Sequence, residues 1–415
     1  MNTRLHCFGA SNEVGRSAFI LKTDKATLLD YGIKVFGKDG KPEFPLDLNQ
    51  RIDSAILSHA HLDHSGFIPN IYKFSNVKWY ATPPTRDLCE LLWKDSMKIM
   101  GDGLPYRDQH YKRAFSKWTP ITYGQNLRMG QTNFKFYDAG HIAGSTMIET
   151  QFEGKKILYT GDFKMEETRL HRGARPVENV NAVIIDSTYA QKEHPSRKEA
   201  EKKIADEISE AVKRGGSVLF PAFSLGRTQE LIRIVRAHHR DIPIFVDGMG
   251  RDISQIYLKY PNYIRESKEF RKEVQSCYFV RGPRDKRKAV EDPAVIISSA
   301  GMMEGGPVLG YLRNVNAESK VIFSGYVVEG TNGWKLQNEG YVTIEGEDME
   351  IDLEIESIDL SAHAGRSEIL NFIKWANPDK VVIVHSDCAK QFEQELKENF
   401  GYDAVAPEVG DVIEF

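Results

Sequence analysis

No apolar run in this 415-residue chain approaches the ~20 residues that span a bilayer. The opening stretch MNTRLHCFGASNEVG lacks the apolar segment of a secretory signal, so an intracellular, cytoplasmic protein is expected. Cysteine is scarce. Cys7, Cys89, Cys277 and Cys388 are widely separated and form no CxxC pair. That excludes a zinc ribbon of paired cysteines and leaves four free thiols as the expectation. Excess positive charge is missing too. A net charge of −4 argues against a basic nucleic-acid-binding coat, so any such surface must be local. Internal repeats, low-complexity tracts and long linkers are also absent from the sequence. With 41% hydrophobic and 27% charged residues, the chain has ordinary globular composition and enough length for two cores.

What is present is concentrated in HAHLDH at residues 59–64, with three histidines and an aspartate in six positions. A packed core has no use for four such side chains together. A metal site does, because imidazole nitrogens and carboxylate oxygens are what Zn²⁺ takes as ligands. Ala55-Ile56-Leu57 precedes the motif, and Gly66 and Pro69 follow it. A buried strand ending in a loop is expected, and ligands on a strand-end loop can converge on one point.

Short strands are expected over 5–9, 18–22 and 26–30, and residues 66–115 look helical. Strands return at 134–137, 146–152 and 156–160, the last two fitting a hairpin that turns at Glu153-Gly154. From about residue 183 the rhythm changes. The runs VIIDS, SVLFP, PIFVDG, AVIISS and KVIFSG alternate with amphipathic stretches, including helices expected over 197–216 and 228–240. This alternation implies a mostly parallel sheet covered by helices. Without a linker, the second domain reads as inserted into the first. The expected division is 1–182 for the first part, 183–345 for the insertion and 346–415 for the C-terminal part.

Further polar residues sit where apolar strands meet small-residue turns: Asp138 and His141, Asp162, Asp186, His363, and His385. Singly, each is an ordinary cap or turn residue. Their number, beside HAHLDH, points to one shared centre. A local basic run, Arg281-Gly-Pro-Arg-Asp-Lys-Arg-Lys288, reads either as a solvated loop or as a nucleic-acid contact.

HAHLDH resembles the signature of the metallo-β-lactamase superfamily. Within it the chain is similar to the β-CASP branch, whose members process RNA and DNA. PAFSLGRTQEL at 221–231, ISSAGMMEGGPVLGYL at 297–312 and FSGYVVEGTNGW at 323–334 resemble one subfamily. It comprises the archaeal and bacterial relatives of the endonuclease subunit of the eukaryotic cleavage and polyadenylation specificity factor. The similarity covers essentially the whole chain, in a short form without KH domains. It implies an α/β protein: a metallo-β-lactamase αββα sandwich with an inserted β-CASP domain.

The resemblance also implies a two-zinc site. His59, His61 and His141 would hold one zinc, Asp63, His64 and His385 the other, and Asp162 would bridge them. Asp30 matches the family's first motif and would orient the ligand loop. His363 matches the histidine that protonates the leaving oxygen, and Asp186 the partner that orients it. The expected catalytic residues are His363, Asp186 and Asp63. The implied activity is hydrolysis of single-stranded RNA by a two-metal-activated hydroxide, endonucleolytic in RNA processing or 3′-end formation. A 5′→3′ exoribonuclease is the alternative, and a non-catalytic RNA-binding scaffold a lesser one. Arg227, Ser298, Ser299, Ser324, Arg284, Lys286, Arg287 and Lys288 are candidate RNA contacts. No membrane association is expected. A homodimer, or a place in an RNA-processing complex, fits the family.

Overall fold

The computed structural model describes residues 3–37 and 40–415. The chain forms two compact units. One comprises Met1–Glu167, Arg172–Glu193 and Ala362–Phe415; the other comprises Thr168–His171 and His194–Ser361.

The first unit contains two seven-stranded sheets. The first sheet runs Val412–Glu414, Arg4–Gly9, Ala18–Lys22, Ala26–Tyr31, Ser54–Ile56, Lys78–Ala81 and Trp118–Pro120. The second runs Asp403–Val405, Lys380–Val384, Ala182–Asp186, Lys155–Tyr159, Thr146–Phe152, Thr132–Asp138 and Asn126–Met129. Alternation along the strands decides the layers. Leu5, Cys7, Phe19, Leu21 and Leu29 share a core with Phe134, Phe136, Ile157, Ile184 and Val382. The alternate residues Val183, Ile185, Val381 and Ile383 pack instead with Ile369, Phe372, Phe392 and Leu396 of two covering helices, Arg366–Ala376 and Ala389–Phe400. Strands buried on both faces read as unbroken apolar runs, which is why AVIID and KVVIV carry no polar alternation.

The second unit holds a six-stranded sheet in the order Tyr278–Phe279, Ile244–Asp247, Val295–Ser298, Val218–Pro221, Lys320–Phe323 and Glu354–Ser357. Every pairing in it is parallel. Helices Arg197–Lys213 and Arg227–His238 cover it, burying Ile204, Ile208, Leu231 and Val235.

Several local expectations change. Within 66–115, Lys78–Ala81 is a strand, parallel to Ser54–Ile56, between helices Ile68–Ile71 and Pro83–Met100. VIIDS belongs to the first unit, paired with Lys155–Tyr159 and Lys380–Val384. Glu354–Ser357 lies past residue 345 yet pairs with Lys320–Phe323 of the second unit. All four cysteines are free. Among the described residues, no helix is long and apolar enough to cross a membrane.

The turn after Asp162 is tied to two other strand-end turns. Lys164 N donates to Ala139 O at 3.0 Å, and Ala364 N donates to Phe163 O at 2.7 Å. The buried Lys164 ammonium donates to Glu368 at 2.7 Å. Glu368 also accepts from the backbone N–H of Met165, Glu166 and Gly365, so it caps helix Arg366–Ala376 while holding the neighbouring turn. Burial opposes its charge, but Lys164 and these N–H groups outweigh burial and lower its pKa. A lowered folded pKa contributes stability that is complete above the unfolded value of about 4.3 and is lost as pH falls through the folded value. Glu368→Gln should therefore destabilise the first unit by about 1–3 kcal/mol at neutral pH. The deficit relative to the unaltered protein should shrink in melts below pH ~4. An equal deficit at both pH values would exclude the charge as its source.

Candidate metal centre

Asp30 is the penultimate residue of the strand Ala26–Tyr31, in a left-handed conformation, φ 57°, and is fully buried. Its carboxylate accepts from Ser58 N and Ser58 Oγ, both at 2.6 Å, and from Tyr159 OH at 2.7 Å. His64 Nδ1 donates to it at 2.8 Å. The loop that carries HAHLDH is thus held at both ends by one side chain. Because Ser58 Oγ donates to Asp30, it accepts from His59 Nδ1 at 3.0 Å, which leaves His59 Nε2 bare. With Nδ1 committed to Asp30, His64 turns Nε2 toward the centre. HLDH then enters the one-turn helix Leu62–Ser65.

The other strand ends supply the remaining donors. His141 follows Thr132–Asp138, and its Nδ1 donates to Ala362 O at 2.9 Å, which exposes Nε2 to the centre. His61 Nδ1 lies 3.1 Å from His59 Nε2 and 3.0 Å from His141 Nε2. Asp162 Oδ2 lies 3.4 Å from His59 Nε2 and 3.7 Å from His141 Nε2. Its other oxygen, Oδ1, is 3.1 Å from His64 Nε2. His385 follows Lys380–Val384 at φ 55°, with Nε2 3.2 Å from Asp63 Oδ2. His59, His61, His141 and Asp162 form one candidate ligand group and Asp63, His64 and His385 another; Asp162, Asp186, His363 and His385 also lie close enough to share an ion.

Charge separates the two groups. Burial and His64 lower the pKa of His59; burial and His59 push His61 down to about 3. Burial, His363 and His59 lower His141 well below its ordinary value. These three imidazoles are neutral and present lone pairs. Around His64 and His385 burial is outweighed by carboxylates. Asp162 and Asp63 raise His64; Asp162, Asp186 and Asp63 raise His385 to about 10. Asp162 Oδ1 is buried and accepts no hydrogen bond. Buried carboxylates need cationic partners, and a divalent metal can replace the protons held on His64 and His385. The donor set fits a metal.

His363 precedes the helix Arg366–Ala376. Its Nδ1 donates to Asp186 Oδ2 at 3.0 Å, while Nε2 is 3.9 Å from Asp162 Oδ2. Burial works against its proton, and the carboxylates of Asp162 and Asp186 raise its pKa. Thr188, which the sequence reading passed over, donates to Asp186 Oδ1 at 2.6 Å and sits 3.0 Å from His385 Nδ1. Ser58 and Tyr159 were missed as well. Ser58 directly precedes HAHLDH, an adjacency that could have flagged it. Tyr159 lies far from Asp30 in sequence, and no local pattern links them.

The candidate RNA contacts lie in the second unit and divide by exposure. Ser298 and Ser324 are buried, so their hydroxyls do not face solvent; Ser299 is part-exposed. Arg227 donates to Leu360 O. The basic run at 281–288, open between a solvated loop and a nucleic-acid contact, includes a short helix, Pro283–Lys288. There Lys286 pairs with Asp247 at 3.7 Å, and Lys288 lies over the Tyr278 ring at 4.9 Å. Arg284 and Arg287 lie on the same short helix.

One glycine sets how closely the ligand loop approaches. A Cβ on Gly32 would lie 1.7 Å from Asp63 O and 2.0 Å from Asp63 C, so one backbone would have to move. Gly32→Ala should lower metal affinity about 10–100-fold, as disturbing the groups that orient ligands does. Gly310→Ala, with nothing within 4 Å of its Cβ, serves as the control. Equal metal affinity in the two variants, measured by competition with a chelator, would show that the contact does not matter.

Residues 20–191 match the family described as Metallo-beta-lactamase superfamily domain, and residues 228–336 match the Beta-Casp domain. Residues 348–407 match the Zn-dependent metallo-hydrolase RNA specificity domain. RNase aCSPSF2 of Saccharolobus solfataricus is 34% identical over 425 residues, covering 100% of this chain and 85% of the relative. Probable RNase MJ4 of Methanocaldococcus jannaschii is 34% identical over 426 residues, covering 98% of each chain. Transcription termination factor FttA of Methanothermobacter thermautotrophicus is 32% identical, covering 94% of this chain and 68% of the relative. A crystal structure of a protein of unknown function from Enterococcus faecalis shares the fold, with a TM-score of 0.67 at 13% identity over 100% of both chains. The chain belongs to the β-CASP ribonuclease family of the metallo-β-lactamase superfamily.

Proposed function

We propose that this protein is a zinc-dependent endoribonuclease with two zinc ions per chain, acting in RNA processing or 3′-end formation. The observation that carries the reading is the pairing of His363 with Asp186 among the converging candidate ligand groups. Zn–N bonds of ~2.0–2.1 Å place tetrahedral ligands about 3.3 Å apart. The separations of 3.0, 3.1, 3.4 and 3.7 Å among His59, His61, His141 and Asp162 bracket that value. Asp162 directs one oxygen to each group, which supports a bridging role. Zinc supplies Lewis acidity toward a phosphoryl oxygen and a nucleophile at neutral pH, without the RNA 2′-hydroxyl.

The chain's own residues do the rest. Asp30 and Ser58 fix the tautomers of His64 and His59. Asp186 holds the His363 ring through Nδ1. His363 Nε2 gives its proton to the departing ribose O3′, and cleavage leaves a 5′-phosphate on the downstream fragment. Two relatives named as RNases and one named as a transcription termination factor support RNA as substrate and 3′-end formation as its setting.

End-labelled RNAs digested with purified protein, with both product ends mapped and zinc counted per chain, test the proposal. His363→Ala should keep both zincs and RNA affinity while losing ~10²–10⁴-fold in turnover. His59→Ala should lose metal. Equal zinc loss in the two variants would make His363 a ligand and remove it as the acid.

The mode of cutting is tested with a circular RNA, which offers no end. Circular RNA should be opened at a rate similar to its linear form. If it survives while the linear 5′-monophosphorylated form is degraded to mononucleotides, the enzyme is a 5′→3′ exonuclease.

A further inference from the structure

Next to His363 lies a short, firmly held turn that the reaction as described does not use. The Tyr189 ring meets the His363 ring edge to face, with centroids 6.0 Å apart. His363 in turn packs against His141, with centroids 4.8 Å apart. The Lys192 ammonium sits over one face of the Tyr189 ring, 5.6 Å from its centroid. Tyr189 is half-buried and Lys192 is exposed. A ring ladder capped by a cation thus runs from a metal ligand to the surface, all within the first unit.

The turn does not owe its shape to chance packing. Ala190 N donates to Ser187 O at 3.1 Å, and Lys192 N donates to Tyr189 O at 3.0 Å. Tyr189 bridges to Gly365 in a parallel β-bridge. Arg366 donates from its backbone N to Lys192 O and from Nη1 to Ala190 O, each at 3.0 Å. Ser367 N donates to the Glu193 carboxylate at 3.0 Å. Residues 187–193 are therefore stitched to 365–367, beside His363, and the ring is held in register with the imidazole.

We propose that Tyr189 and Lys192 form the contact surface for the nucleotide 5′ to the cut bond, whose ribose oxygen departs. This rests on the assignment of His363 as the group that protonates that oxygen. A donor at the leaving O3′ places the departing ribose against its own ring. The next surface outward is the Tyr189 ring, which can stack a base of any identity. Lys192 then meets the phosphate one step further upstream. Aromatic platforms flanked by cations are how single strands are held without sequence preference.

The test couples a variant to a missing base. An RNA of mapped cleavage site is prepared intact, abasic at the nucleotide 5′ to the cut, and abasic well upstream. The unaltered enzyme should lose on the order of 10-fold in kcat/KM on the first abasic RNA and little on the second. Tyr189→Ala should lose a similar factor on intact RNA and nothing further on the abasic one. Tyr189→Phe keeps the ring and should retain the rate. Lys192→Gln should lower the slope of log affinity against log salt by about 0.7, as one lost phosphate contact on a single strand does.

If Tyr189 only orients His363, the losses from variant and abasic site multiply, and the proposal fails. It also fails if the unaltered enzyme is indifferent to the abasic position, a comparison that needs no variant to fold. An unaltered enzyme that cuts no RNA at all overturns the ribonuclease reading instead, and this proposal with it.

Discussion

The carboxylate of Asp30 is the point on which the centre depends. It belongs to the first sheet, yet it accepts a hydrogen bond from Tyr159 of the second, so it joins the two layers across their shared core. The same two oxygens bind Ser58 twice and His64 once. A fully buried carboxylate is expensive unless its lone pairs are filled, and here four donors fill them. Sheet packing and ligand orientation are therefore not separate achievements. If the sheets shift, Tyr159 leaves Asp30; if Asp30 turns, His59 and His64 lose the groups that hold their ring protons. The left-handed backbone at Asp30, and again at His385, is strain of about 1–3 kcal/mol per residue that the surroundings must hold in place.

Around that hub the side chains sort by charge. Three imidazoles are kept neutral by burial and by one another, while His64 and His385 sit among carboxylates. Asp162 touches both populations with different oxygens. Lys164, two residues on, is buried against Glu368 and fixes that turn to the one bearing His363. His363, Asp186 and Asp162 thus share one hydrogen-bonded framework.

The sequence disclosed the centre because its ligands cluster locally: HAHLDH is visible without any fold, and the strand-end polar residues stand out against apolar runs. The parallel sheet of the second unit was legible for the same reason, through alternating runs and amphipathic stretches. What stayed hidden depends on distant pairing. Lys78–Ala81 is too short to break a helical pattern, and only its neighbour Ser54–Ile56 makes it a strand. VIIDS resembles the runs that follow it, so no local property assigns it to the first unit; its partners 155–159 and 380–384 do. Tyr159, Thr188 and Glu368 act through contacts far along the chain. The basic run at 281–288 was visible, but its partners Asp247 and Tyr278 were not.

The strand Arg4–Gly9 pairs with Val412–Glu414, and Lys380–Val384 lies between Ala182–Asp186 and Asp403–Val405. An early strand of this chain waits for a much later one, and His385 directly follows the strand Lys380–Val384. Long-range pairings of this kind are slow to form. During synthesis the early histidines are already present, but the second ligand group lacks a member and the helix behind His363 still lacks Lys380–Val384, one of the strands it covers. The centre is completed only when nearly all of these residues have left the exit tunnel. An emerging chain therefore lacks the full ligand set until His385 has followed.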